Sequence, residues 1–219
     1  LGELDRVTGA GHQQQEYFVR EVADLGIVLA GAHGFDEDDF VEERAALSLG
    51  VSQEFSDTLT GELGIGVAYS RVTDRFVTPE TTRELLLYTL PTALTYDRRA
   101  DTLDPRDGFY LRLEAEPFFE SRGDETGARL AFDGRVYEGL GEEDRLVLAG
   151  RLQLGALVGP DAEDAPPGYL FYSGGGGTVR GQPYQSLDAD YGDGLELGGR
   201  SFAAVSTEAR YAINDNFGV

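Results

Sequence analysis

The residues with the most chemical character lie in one stretch, FYSGGGGTVRGQPYQSL, from Phe171 to Leu187. Gly174, Gly175, Gly176 and Gly177 run unbroken, Val179 and Arg180 follow, then Gly181, with Tyr184 just beyond. Glycine adds no side chain to a core and costs backbone entropy when ordered, so such a run implies unusual φ or close backbone approach. Phosphate binding is the first chemistry it invites. A phosphate loop needs lysine followed by serine or threonine, and the chain has no lysine. A dinucleotide fingerprint needs a helix after the glycines, and no helical spacing follows Gly181. What remains is one guanidinium on a pliant backbone, either incidental to a linker or carried inward to meet carboxylates.

Other candidate chemistry is sparse. Asp188, Asp190 and Asp193, with Gly192 and Gly194, resemble a loose calcium loop, but position 199 is glycine where an EF-hand needs glutamate. A solvated acidic loop accounts for them. Glu114 and Glu116 fall on one strand face at roughly 7 Å, a separation open to glycosidase chemistry, yet a wet polar wall explains them as well. His12 and His33 are the only histidines and cysteine is absent, which argues against zinc, blue copper, thiolate chemistry and a serine triad. No cofactor, metal or catalytic residue is expected, and the chain reads as non-enzymatic. Its formal net charge of −22, from 40 acidic and 18 basic residues, repels phosphate backbones and argues against nucleic acid.

The elements that must position the loop are strands. Alternation with period two dominates from about residue 39 onward. In Phe109–Glu120, Phe109, Leu111, Leu113, Ala115, Pro117 and Phe119 take one face, and Tyr110, Arg112, Glu114, Glu116, Phe118 and Glu120 the other. Leu130, Phe132, Leu152 and Leu154 oppose Arg129, Asp133, Arg151 and Gln153 in the same way. In Ser201–Ile213, Val205, Ala209 and Tyr211 oppose Phe202, Glu208 and Arg210. Further strands are expected at Phe40–Phe55, Thr58–Thr73 and Glu84–Arg98, and a weaker one at Gln14–Leu29. That makes about eight antiparallel strands, several of ~12–16 residues, against 5–6 in ordinary globular sheets. Length, one apolar face and one charged face predict an all-β transmembrane barrel with a polar interior. Short links near Ser56–Asp57, Gly141–Glu143 and Asn214–Asn216 alternate with longer ones near Gly31–Asp39, Asp74–Arg83, Ser121–Thr126 and Gly159–Arg200. That is the habit of outer-membrane barrels. Without an initiating methionine, the chain is expected to be an internal part of a longer protein.

GGGGTVRGQPYQSL resembles the arginine-glycine signature in the sixth external loop of TamA/BamA-type outer-membrane assembly barrels, the bacterial surface antigen family. YDRRADTLDPRDGFYLRLEAEPF, from Tyr96 to Phe118, is similar to the strand-turn-strand before that loop in the TamA branch. Ser201–Ile213, centred on Glu208, resembles the strand after it. Gln182 stands where the family usually carries an aromatic, and Tyr184 is the candidate to supply that packing. The resemblance implies a sixteen-stranded barrel behind periplasmic POTRA domains, with residues 1–219 covering about strands five to twelve and the POTRA domains lying outside them. It implies residence in the bacterial outer membrane, unfolded outer-membrane or autotransporter proteins as clients, and an inner-membrane TamB-like partner. It also implies that Arg180 folds into the lumen to meet Glu208, with Asp133, Glu114 and Glu116 across the barrel. A passive porin, or a small closed barrel holding a ligand, is the alternative.

Overall fold

Nearly every alternating stretch becomes a strand in the computed structural model. It describes residues 14–22, 25–36, 40–75, 79–175, 177–179, 181–183, 187, 189–191, 196–214 and 217–218, with side chains from Phe40 onward except at Asp190, Glu196, Asn214, Phe217 and Gly218. The wall begins with β1 (Gln14–Val22), β2 (Leu25–Asp36), β3 (Phe40–Ser56) and β4 (Leu59–Asp74). It continues with β5 (Thr81–Thr89), β6 (Thr92–Asp97), β7 (Gly108–Glu120), β8 (Glu125–Leu140) and β9 (Leu146–Val158). Two short strands, β10 (Ala189–Asp190) and β11 (Glu196–Leu197), pair within the long loop. The wall resumes with β12 (Ser201–Asn214) and β13 (Phe217–Gly218). Neighbours along the chain pair antiparallel, so the sheet is a meander, with β6 filling the gap between β4 and β7. Among the described residues no helix is long and apolar enough to cross a membrane. That says nothing against crossing by strands.

Register carries the two-faced pattern from strand to strand. Leu113 stands opposite Phe132, and Phe132 opposite Leu154, on one face. Arg112 stands opposite Asp133, and Asp133 opposite Gln153, on the other. The first face is exposed at Leu111, Leu113, Leu130, Leu152 and Leu154, as a lipid-facing wall requires. The second carries the charges and receives the loop.

Three expectations need correction. Gln14–Leu29 spans two strands rather than one; the sequence between them, Ala23-Asp24, has no glycine or proline to mark the break. The link expected at Gly31–Asp39 is mostly strand, since β2 runs on to Asp36. Glu84–Arg98 is broken at Leu90–Pro91, where proline has no N–H for the ladder. There Pro91 O accepts from Gly64 N at 2.8 Å, and Leu90 N donates to Pro117 O at 3.0 Å.

The inner face is also less polar than alternation implies. Phe40, Ala68, Val72, Leu85, Leu87, Phe118 and Leu157 all point inward and are buried against Ala162, Ala165, Tyr169 and Leu170 of the loop. The core of this molecule therefore sits between loop and wall, near one end of the strands.

Candidate functional site

Tight local turns build the loop's first limb. Asp161 O accepts from Asp164 N at 3.2 Å and from Ala165 N at 2.9 Å. Pro166 and Pro167 follow, and Pro166 O accepts from Tyr169 N at 2.9 Å. Pro166 is extended and Pro167 opens a single 3-10 turn, Pro167–Tyr169, its ring fixing the φ that a helical first position needs. This turn delivers Tyr169 and Leu170 to the wall. Tyr169 packs edge-on to Phe118 with ring centroids 4.9 Å apart.

The glycine-rich tip is a narrow hairpin rather than a loose linker. Phe171 and Gly199 exchange both backbone bonds, at 2.9 and 2.8 Å, and Ser173 and Leu187 do the same at 3.1 and 2.9 Å. Gly175 N donates to Gln182 O at 3.1 Å, closing the hairpin near its end. The Thr178 hydroxyl accepts from Gly174 N at 2.8 Å and donates to Gly174 O at 3.2 Å. Gly174, Gly175 and Gly181 have φ of 114°, 85° and 89°, the region that residues with a Cβ avoid. That is the physical reason for glycine at these positions.

The hairpin meets the wall through Phe171 and the tip. The Phe171 ring stacks on Phe202 with centroids 6.1 Å apart and planes 9° from parallel. On its flank the Arg129 guanidinium lies 4.3 Å from the ring centroid. A Cβ on Gly155 would fall 2.4 Å from that ring, so β9 needs glycine where the loop crosses it. At the tip, Arg151 Nη1 donates to Gly177 O at 3.3 Å.

Arg151 belongs to an ion network along the inner wall. Asp133 accepts from Arg151 Nη2 and Arg135 Nη2, both at 2.7 Å. One layer away, Arg112 donates to Glu62 at 2.8 and 3.1 Å, to Glu114 at 2.7 Å and to Thr95 Oγ1 at 2.8 Å. Between loop and network lies a cavity of about 420 Å³ lined by Arg112, Glu114, Arg129, Asp133, Gln153 and Thr178 among others. Positive and negative groups alternate around it. Among the described residues no group of His, Cys, Asp and Glu is arranged to hold a metal ion.

At the opposite end of the strands the turn between β6 and β7 folds across to β12. Arg210 donates to Asp104 Oδ1 at 3.0 Å and also to Pro105 O. Within the turn Asp101 Oδ1 accepts from Leu103 N at 2.7 Å and Asp104 N at 3.2 Å. Those two amides hold its carboxyl below the ordinary aspartate value.

The sequence-predicted site residues divide accordingly. Gly174, Gly175, Gly177, Val179 and Gly181 lie in or beside the hairpin. Gly176, Arg180 and Tyr184 lie outside the described residues, as do Asp188 and Asp193. Glu208 is on the inner face of β12, opposite Ala149, with one carboxylate oxygen 3.7 Å from Arg210 Nε. Glu114 bonds to Arg112, Asp133 to Arg135 and Arg151, and Glu116 to the Tyr169 hydroxyl. Sequence reasoning missed Tyr169 and the bond from Arg151 to Gly177. The Pro-Pro-Gly-Tyr run was the available signal for the first; the second has none, because a backbone carbonyl leaves no mark in a sequence.

Comparison with known proteins supplies a frame for this geometry. A family model described as the Omp85 superfamily domain matches residues 17–219. None of the curated proteins matches the sequence. Among solved structures, BamA from Haemophilus ducreyi lacking POTRA domains 1–3 superposes with a TM-score of 0.71 at 15% identity. The match covers 91% of this chain and 44% of that one, so this chain spans less than half the length of that relative.

Proposed function

Because the chain belongs to the Omp85 superfamily, we propose that it forms the wall and lumen loop of a barrel that assembles or translocates other outer-membrane proteins. Its place is the bacterial outer membrane. The observation that carries the proposal is the backbone pairing of Phe171 with Gly199 and of Ser173 with Leu187, in a segment seated on the inner wall through Phe171 rather than projecting from it. A water-filled channel works through an open polar lumen, and a hairpin seated on the wall narrows it. A machine that handles unfolded strands gains an internal element whose docking alters the barrel's shape. The role is mechanical and non-enzymatic.

Finer readings rest on sequence resemblance. The Tyr96–Phe118 stretch supports the TamA branch, autotransporter clients and a TamB-like inner-membrane partner. The overlap with 44% of a longer relative and an open sheet order, with β1 and β13 at its two ends, support membership in a larger barrel of about sixteen strands with POTRA domains. Within it, Arg180 is assigned to the lumen with Glu208 as its strand partner, Glu208 being on the required face.

The test is reconstitution of the full-length protein in vesicles, followed by addition of a urea-denatured outer-membrane protein. Faster folding of that client than in empty vesicles is expected. Steady ion conductance with no acceleration of folding would replace assembly with a pore. The exchange Arg180→Glu with Glu208→Arg is expected to recover part of the defect of either change alone. No recovery would remove Glu208 as the partner.

A further inference from the structure

The proline-rich limb makes contacts that neither the glycine signature nor the family match accounts for. It leaves β9 at Gly159 and reaches β3, five strand neighbours away in the sheet. There Glu42, whose side chain is 0% exposed, accepts from Gly168 N at 3.1 Å and from the Ser70 hydroxyl. The neighbouring Tyr169, 2% exposed, donates its hydroxyl to Glu116 on β7. Arg44, on β3, places its guanidinium 4.9 Å from the Tyr169 ring centroid and donates to the Tyr169 hydroxyl at 3.5 Å. One residue pair of the loop thus ties β3 to β7 through partly buried, charge-assisted bonds.

We propose that Tyr169 is a positioning residue: with Glu116, Arg44 and Glu42 it forms a latch that seats the lumen loop, separately from the signature arginine. The proposal deepens the reading of the loop as the working element and rests on it for its consequence. Held by the latch, the limb stays on the wall independently of the bond that Arg151 makes to the tip at Gly177 O. A buried carboxylate is costly to strand, so Glu42, and to a smaller degree half-buried Glu116, favour the seated loop over any arrangement that removes their donors.

The latch has a pH signature. Groups facing the Tyr169 hydroxyl are Glu116 from β7 and Arg44 from β3, with Arg129 of β8 near both Glu116 and Tyr169. Burial, reinforced by Glu116, raises the phenol above its ordinary value despite Arg44. A raised value means that the seated loop keeps its proton after the unseated loop has lost it. Seating is therefore at full strength below the ordinary tyrosine value, near pH ~10, and weakens as pH rises beyond it.

The chain has no cysteine, so Glu163→Cys, at an exposed position on the limb, gives a single spin-label site once any cysteines elsewhere in the full-length protein are replaced. At neutral pH, Tyr169→Phe is expected to enlarge the mobile label population roughly tenfold, the scale of one lost bond to a charged group. The parent protein should show that mobility only above the tyrosine range, and Tyr169→Phe should be flat with pH. Glu116→Gln, which leaves the apolar seat intact, should raise mobility alone even if Tyr169→Phe does not insert. Mobility unchanged in both variants, or an alkaline rise that persists in Tyr169→Phe, would overturn the latch. No client enters the measurement, so its failure is distinct from failure of the assembly reading.

Discussion

The two parts of the inner wall hold the loop by opposite means. Around β3–β5 and the adjoining end of β7, Phe40, Val72, Leu87 and Phe118 form a dry seat, in which Glu42, Ser70 and the Tyr169 hydroxyl are hydrogen-bonded. Along the middle of β7–β9, Arg112, Glu114, Asp133, Arg135 and Arg151 form a half-exposed network. Dry packing is strong and tolerates little displacement. Ion pairs in water are weak, and their partners exchange readily. The loop's proline limb rests on the first and its glycine tip on the second. A single loop thus has a root held by dry packing and a tip held by solvated polar contacts.

The comparison is broken or sharpened by substitutions of decreasing effect. Leu87→Ala, in the dry seat and 0% exposed, should cost about 2–5 kcal/mol through transfer and cavity terms. Denaturant unfolding of the full-length protein in lipid measures it; a loss below that range would mean the seat is wet. On the outer face Leu113→Arg should cost ~2–4 kcal/mol near the membrane midplane, read by the same unfolding, and an unperturbed midpoint would contradict the lipid assignment. Ser70→Ala removes a donor from buried Glu42 and should cost about 1–3 kcal/mol. Arg112→Ala, in the wet network, should fall within about 1 kcal/mol, and salt should shrink the difference further. If Arg112→Ala proved costlier than Leu87→Ala, the contrast between the two regions would be reversed.

Much of this organisation was legible. Leu113 against Glu114 and Leu152 against Arg151 alternate without interruption, so period and face follow from side-chain type alone. The dry seat was hidden in part because β5 is apolar on both faces. In Glu84–Thr89, Leu85, Leu86 and Leu87 follow one another, and alternation cannot say which faces the loop. The hairpin was legible in part: its glycines mark unusual backbone, but the pairing of Phe171 with Gly199 spans a segment without periodicity. Tyr169 was passed over for the same reason. Its role comes from partners on β3 and β7, distant in sequence and adjacent only once the sheet has formed.

The central claim is that the loop works inside an assembly barrel and does more than fill it. The most direct measurement is client folding by the full-length protein carrying Arg180→Ala, paired with its own unfolding midpoint. Client folding should slow markedly while the midpoint shifts by no more than about 1 kcal/mol, the worth of a solvated pair. Unaltered client folding, with the loop equally resistant to protease, would contradict the claim and return the glycine run to the status of a linker.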